Sequence, residues 1–149
     1  MLLGIVVGWG LAYAGFGAAQ EKGNWHAASS TARSITGDVT ISNEKILISF
    51  SGFPIAQIRS LQQSEVSAAF DVDSGAGGSG NLYRMSIPGA TRFLHKNTLC
   101  GSDDTQWMAT YVVGHSLQVA FFSGQKMPVL TPDAIATSTD LCAIFSYVK

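Results

Sequence analysis

Short segments in which apolar and polar residues alternate are the feature that most restricts how this chain can fold. Residues 35–41 carry Ile, Gly, Val and Ile at every second position, and residues 46–50 repeat the alternation after turn-forming residues at 42–44. A period of two is typical of a half-buried strand, so the two segments predict a β-hairpin. The sequence shows no long amphipathic helical pattern, which argues against a βαβ architecture and a dinucleotide-binding fold.

Further segments are rich in β-branched and aromatic residues and are predicted to be strands. They are residues 66–72, 82–87, 107–113, 117–121 and 142–148, although residues 57–67 could instead hold a short helix. Gly114 and His115 separate two of these segments and suit a two-residue type II′ turn. We expect an all-β chain of about seven or eight strands, folded as a single antiparallel barrel of the lipocalin kind or as a sandwich.

The first nineteen residues differ from the rest because they contain no charged side chain and end in small residues. This pattern is typical of a secretory signal peptide. Cleavage after Ala19 is the preferred interpretation, with cleavage after Ala14 as an alternative, and residues 20–149 then form one barrel domain. An uncleaved membrane anchor stays open, since about 20 apolar residues can cross a bilayer. The expected location is the periplasm or the exterior, with no stable membrane insertion after cleavage.

The two cysteines, Cys100 and Cys142, both lie in the predicted mature chain. Export places them in an oxidising compartment, and two cysteines allow a single pairing. In the chain-entropy picture, closing a loop of this length stabilises the fold by about 4 kcal/mol. The spacing is not that of a redox or metal-binding Cys-x-x-Cys motif, so a structural disulfide is predicted.

The charge balance and the motifs argue against two broad functional classes. Nine basic residues against ten acidic ones lack the basic excess that nucleic-acid binding requires. The Gly- and Ser-rich residues 73–80 contain no Lys and lead into a predicted strand, so they do not form a phosphate-binding loop. His26, His95 and His115 are not at metal-ligand spacing. We therefore expect a non-catalytic protein with no cofactor and no metal.

Aromatic residues in the predicted strands are the most informative candidates for binding. Inward-facing residues of a barrel of about eight strands either fill the core or line a ligand cavity. A filled core is the ordinary outcome in a small protein, and an apolar cavity is the alternative. The candidate binding residues are Trp25, Ser79, Tyr83, Trp107 and Tyr111.

Two parts of the chain together resemble a group of small exported bacterial proteins with one disulfide. The first is Trp25 with residues 31–38, and the second comprises residues 97–101, Trp107, residues 120–124 and residues 142–147. This resemblance implies a Cys100–Cys142 disulfide and carries no known activity.

A second resemblance is to the periplasmic inhibitors of chicken-type lysozyme, which are small disulfide-bonded barrels with a Ser-Gly-x-x-Tyr motif on an exposed loop. Residues 79–83, Ser-Gly-Asn-Leu-Tyr, match that motif, whereas residues 113–117 lack the Lys and Ala of the family's second motif. The resemblance implies that Ser79 would enter the lysozyme cleft.

The sequence therefore predicts an exported binding protein of the bacterial envelope. Its target would be a small apolar molecule inside the barrel, or a protein or glycan outside it. One alternative is a periplasmic inhibitor of a lytic enzyme such as lysozyme, with residues 78–83 as the inserted loop. Another is an accessory subunit of an envelope complex.

Overall fold

Eight strands form a closed antiparallel barrel in the computed structural model, which describes residues 21–149. Each strand pairs with the next one along the chain, and β1 pairs with β8 to close the barrel. The strands are β1 (Gly23–Ala27), β2 (Val39–Ile41), β3 (Lys45–Ile48), β4 (Ser51–Ser60), β5 (Ser79–Ile87), β6 (Thr105–Val113), β7 (Ser116–Phe122) and β8 (Leu141–Val148). The all-β class and the single antiparallel barrel are confirmed, and the sandwich is excluded. The predicted signal peptide, its cleavage sites and the membrane-anchor alternative lie outside the described residues.

Short helices occupy some of the connections between the strands. They are α1 (Ser30–Ile35), α2 (Gln63–Phe70), α3 (Pro132–Ala136) and a 3-10 turn at Leu94–Lys96. None of the helices in residues 21–149 is both long enough and apolar enough to cross a bilayer.

The barrel interior is packed with apolar and aromatic side chains from all eight strands. Alternate residues of each strand point inward, as the pleat of a strand requires. Phe121 of β7 and Phe145 of β8 lie against each other with ring centroids 5.9 Å apart. The largest fully buried interior side chains include Trp25, Tyr83, Tyr147, Phe121, Phe145 and Met108. The filled-core prediction therefore describes this interior.

A second apolar layer covers the outer face of β5, β6 and β7. Helix α2 and the segment before α3 pack on this face through Val66, Phe70 and Leu130, which are all buried. The strands contribute Leu82, Trp107, Ala109, Tyr111, Ala120 and Phe122. Both faces of these strands are thus buried, which explains why β6 and β7 are apolar almost throughout.

One predicted strand is wrong and another is shorter than predicted, because local hydrogen bonds favour helices there. Residues 30–35 form α1, whose N-cap Ser29 accepts a bond from the Ala32 amide, so the predicted strand over 35–41 begins only at Val39. Residues 66–72, predicted as a strand, lie largely in α2. The Glu65 side chain accepts the Gln62 amide there in a capping box. Strand β4, which contains Pro54 and two partly exposed faces, was not predicted.

The cysteine and hairpin predictions are confirmed. Cys100 and Cys142 form a disulfide with their Cα atoms 5.0 Å apart, which ties the loop before β6 to the start of β8. Gly114 and His115 connect β6 and β7, with Gly114 at φ +57° as the first position of a type II′ turn requires. The Gly- and Ser-rich tract is a loop, but it joins α2 to β5 and not two strands.

Candidate functional site

The five candidate binding residues do not converge on one site. Trp25 and Tyr83 point into the barrel, whereas Trp107 and Tyr111 lie on the outer face of β6 beneath α2. Ser79 begins β5 and is half-buried. The wall of the barrel separates the two pairs of aromatic residues, so they cannot line a single pocket.

Trp107 and Tyr111 hold loops in place. The Trp107 indole Nε1 donates to the Gly124 carbonyl at 3.0 Å, and the Tyr111 hydroxyl donates to the Gly77 carbonyl at 2.9 Å. Phe70 of α2 stacks on the Tyr111 ring with centroids 5.7 Å apart. These contacts occupy the polar atoms that a ligand would use.

The Ser-Gly-x-x-Tyr match does not lie on an exposed loop. Residues 79–83 are part of β5, and Gly80, Asn81, Leu82 and Tyr83 are buried. The prediction of an inserted loop at residues 78–83 is wrong, because pairing with β4 and β6 holds this segment inside the sheet.

An open cleft of about 580 Å³ lies on the outside of the opposite wall, formed by β1, β2 and β3. We call it the hairpin cleft and define it by His26, Asp38, Thr40, Leu47, Phe50 and Leu94. Within residues 21–149, no helix covers this wall as α2 covers β5–β7, and Leu47, Phe50 and Leu94 are exposed.

The floor of the hairpin cleft is polar and ordered by hydrogen bonds. His26 Nδ1 lies 3.1 Å from Asp38 Oδ2, and the Ala27 amide donates to Asp38 Oδ1 at 2.9 Å. The Ala27 amide, followed by His26, holds the pKa of Asp38 below its usual range. Beside this pair, the Thr40 hydroxyl donates to Asn24 Oδ1 at 2.7 Å. The floor therefore keeps a carboxylate ionised in mildly acidic as well as neutral solution.

One rim of the cleft is the tight turn between β3 and β4. Ser49 and Phe50 form a two-residue loop, since Ile48 and Ser51 are paired, and their φ angles are 51° and 70°. Positive φ at both positions is the geometry of a type I′ turn, which favours Gly or Asn. The Ser49 hydroxyl donates to the Thr36 carbonyl at 3.0 Å. The Phe50 side chain has a relative exposure of 104%, so the turn holds an aromatic ring entirely in solvent.

The other rim is the 3-10 turn at Leu94–Lys96, which also has an unusual backbone. His95 and Lys96 have φ angles of 56° and 63°. His95 Nδ1 lies 3.1 Å from the Ser34 carbonyl, and the side-chain amide of Asn97 donates to the same carbonyl through Nδ2 at 3.2 Å. Four of the five non-glycine residues with positive φ in residues 21–149 thus lie at the two rims of one cleft.

Buried contacts fix the loop between the two rims to the barrel core. The Thr36 hydroxyl lies 2.7 Å from the Tyr147 hydroxyl, and both residues are buried. Burial raises the pKa of Tyr147, so the phenol stays neutral and can donate or accept in this pair. The cleft is therefore anchored to rigid strands on its inner side.

A second open cleft, of about 650 Å³, lies between the start of α2 and the segment before α3. Arg59 makes a two-pronged ion pair with Glu65 at 2.7 and 2.8 Å on its wall. The Arg59 guanidinium lowers the pKa of Glu65. Met127 and Val129 are exposed on the other wall. Arg59 and Glu65 on this wall are paired with each other, and the Thr131 hydroxyl accepts the Ala134 amide at 3.2 Å.

Residues 21–149 contain no group of three or more His, Cys, Asp or Glu side chains arranged to hold a metal ion. In comparisons with known proteins, no family model, curated protein or solved structure matches the chain.

Sequence reasoning missed the hairpin cleft. Phe50 looked like the end of an alternating strand, and the turn that exposes it contains neither Gly nor Asn. His26 and Asp38 are twelve positions apart with a helix between them, a spacing that matches no motif. The isolated Gly37-Asp38 pair was the one available signal of a turn before β2.

Proposed function

We propose that this chain is an exported, non-catalytic binding protein of the bacterial envelope that recognises a protein partner at the hairpin cleft. The observation that carries this proposal is Phe50, a fully exposed aromatic side chain on a strained turn at the rim of the cleft. The disulfide supports an oxidising compartment such as the periplasm or the exterior.

The free-energy cost of holding Phe50 in this turn favours a role for its side chain in binding and not in stabilising the fold. A non-glycine residue in the left-handed region costs about 1–2 kcal/mol, and the ring contributes no burial in return. Burying a Phe side chain in a complex gains about 1.5–3 kcal/mol. Exposed aromatic residues are enriched among the residues that dominate protein interfaces. Strained backbone held by its surroundings is also typical of functional sites.

The borders of the cleft indicate the chemistry of the partner. Arg33 of α1, Lys45 of β3 and Lys96 of the 3-10 turn are exposed on the elements that surround the cleft. The acidic side chain on the floor, Asp38, is already paired with His26. Glu44 is exposed beside Lys45, so these three basic residues together with Asp38 and Glu44 leave a net positive charge of one around the cleft. A partner that presents an apolar side chain flanked by acidic groups fits these features.

The filled barrel gives less support to a small apolar ligand inside it, because aromatic side chains occupy the interior. An inhibitor of a lytic enzyme stays an alternative. Because residues 78–83 are not available for insertion, the turn at Ser49–Phe50 would have to enter the cleft of the enzyme. An accessory subunit of an envelope complex is compatible with the same surface and differs only in the permanence of the contact.

Site-specific photo-crosslinking in the producing bacterium tests the proposal. A benzophenone side chain is placed at Leu47, at Phe50 or at Ile58, the last being a control on β4 with an exposure of 43%, close to the 40% of Leu47. We expect one discrete protein adduct from positions 47 and 50 and none from 58. Equal labelling from all three positions, or none from 47 and 50, contradicts the proposal. A low-mass adduct in a native mass spectrum that Phe50→Asp abolishes would instead indicate a small ligand.

A further inference from the structure

The first strand closes the barrel through very few backbone pairs. β1 pairs with β8 only at His26–Val148 and Ala27–Tyr147, and with β2 at three positions. By comparison, β6 and β7 pair at seven positions. We call the contact between β1 and β8 the seam. Because it has few hydrogen bonds between its strands, local opening of the barrel requires least free energy there. Side chains must therefore supply much of what holds β1 in place.

Glu21 joins the segment before β1 to the far wall of the barrel. Its carboxylate oxygen Oε1 accepts a hydrogen bond from the Asn81 side-chain amide, and its carbonyl accepts one from Trp25 Nε1 at 2.9 Å. Asn81 in turn accepts from Gln57 Nε2 at 3.1 Å, and its backbone amide donates to the Thr110 hydroxyl at 3.2 Å. The Glu21 side chain thus connects the N-terminal segment to β4, β5 and β6.

The connection is incomplete on one side of the carboxyl group. Glu21 is 1% exposed, and within residues 21–149 its second oxygen, Oε2, has no hydrogen-bond partner. The buried Tyr83 hydroxyl has no partner among these residues either. A buried carboxylate oxygen without a partner is costly, whereas a protonated carboxyl group can donate from that oxygen.

The charges around Glu21 agree with this reading. Burial raises the pKa of Glu21, while the neighbouring polar side chains of Thr110, Asn81 and Tyr83 and the charge of Lys22 each lower it less strongly. Burial, and then the charge of Glu21, raise the pKa of Tyr83, which keeps the phenol neutral. Lys149, at the end of β8, lies 4.9 Å from the Trp25 ring centroid and bonds the Lys22 carbonyl.

We propose that Glu21 is a proton-controlled latch for β1. With a proton on its carboxyl group, Glu21 stays inside the barrel end and the seam between β1 and β8 stays closed. Loss of the proton leaves a buried charge with an unpartnered oxygen, which favours withdrawal of residues 21–27 and opening of that seam. Because the folded state takes up this proton more readily than the unfolded state, the stabilisation is complete below the unfolded pKa. It is lost as the pH rises through the higher folded pKa.

Hydrogen exchange at several pH values, expressed as protection factors to remove the intrinsic pH effect, tests the latch. We expect the protection of residues 21–27 and 141–149 to fall by more than about threefold as the pH rises, while β6 and β7 stay protected. Glu21→Gln keeps an acceptor for Asn81 and cannot ionise, so its seam should show no pH-dependent loss. Glu44→Gln removes an exposed acid from the β2–β3 turn and should behave like the wild type.

Two outcomes overturn the latch. One is a wild-type seam whose protection does not change with pH, and the other is an equal loss in Glu21→Gln. Tyr83→Phe gives an independent check if Glu21→Gln fails to fold. The Tyr83 hydroxyl lowers the pKa of Glu21, so its removal makes ionisation of Glu21 harder and the opening should move to higher pH. An opening at the wild-type pH would show that Glu21 is not the titrating group.

Discussion

Replacing Phe50 by glycine should make the protein more stable while removing the proposed binding of a partner at the hairpin cleft. The φ angle of 70° costs a non-glycine residue about 1–2 kcal/mol, and glycine does not incur that penalty. Glycine loses about 0.5–1 kcal/mol through the greater freedom of the unfolded chain. The Phe50 ring is fully exposed, so its removal sacrifices no buried area. The balance is a gain of about 0.5–1 kcal/mol in the free energy of unfolding, which corresponds to a Tm higher by about 1–4 °C for a chain of this size.

The measurement is urea unfolding of the oxidised protein followed by circular dichroism, with thermal melts in parallel. Phe50→Ala is the matched control, because it removes the same ring and keeps the strained backbone, so its stability should stay within about 0.5 kcal/mol of the wild type. Both variants should lose the partner in a crosslinking assay from position 47. If Phe50→Gly is no more stable than Phe50→Ala, the turn is not strained. If both are destabilised by more than about 1 kcal/mol, the ring supports the fold and not a partner.

Three further outcomes follow from the fold. Reducing the disulfide, or changing Cys100 and Cys142 to Ser, should lower the free energy of unfolding by about 4 kcal/mol in equilibrium unfolding; a loss below about 1 kcal/mol would contradict the assignment of the bond as structural. Glu65→Gln should destabilise by about 0.5–1 kcal/mol at neutral pH, since Arg59 is partly exposed. That difference should disappear as the pH falls through the lowered folded pKa of Glu65, and a difference independent of pH would exclude the ion pair as its cause. Phe121→Ala should cost about 3–5 kcal/mol in urea unfolding, because Phe121 is in the filled interior; a tolerated change would indicate a cavity there.

The sequence predicted the β6–β7 hairpin and β8, but it missed β4, which follows β3 after a two-residue turn. β6 and β7 were recognisable because Gly114 interrupts two apolar segments at the position a tight turn needs. The strand predicted over residues 35–41 is shorter in the structure, because a side-chain cap at Ser29 stabilises a helix that includes Ile35. Strand propensity reflects the alternation of apolar and polar residues, but it does not include the competing hydrogen bond between the Ser29 side chain and the Ala32 amide.

The candidate site was less predictable because no single segment contains it. His26 comes from β1, whereas Asp38, Phe50 and Leu94 come from three different connections, and the barrel alone brings the four residues together. The aromatic residues singled out from the sequence are buried because strand pairing and α2 cover them, as for Trp107. Aromatic residues in the sequence indicated where the protein is packed. The exposed ring of Phe50 depends on a turn geometry that its residues, Ser49 and Phe50, do not predict.

Closure of the barrel by the first and last strands also sets the order in which the chain can assemble. β2 through β7 can form successive hairpins as they emerge, but β1 cannot find its second neighbour until β8 is complete. Until β8 forms, the edges of β1 and β7 that will pair with it stay open to pairing with other chains. The growing polypeptide therefore depends on shielding of those edges, and premature termination before Tyr147 should yield aggregates and not a smaller folded barrel.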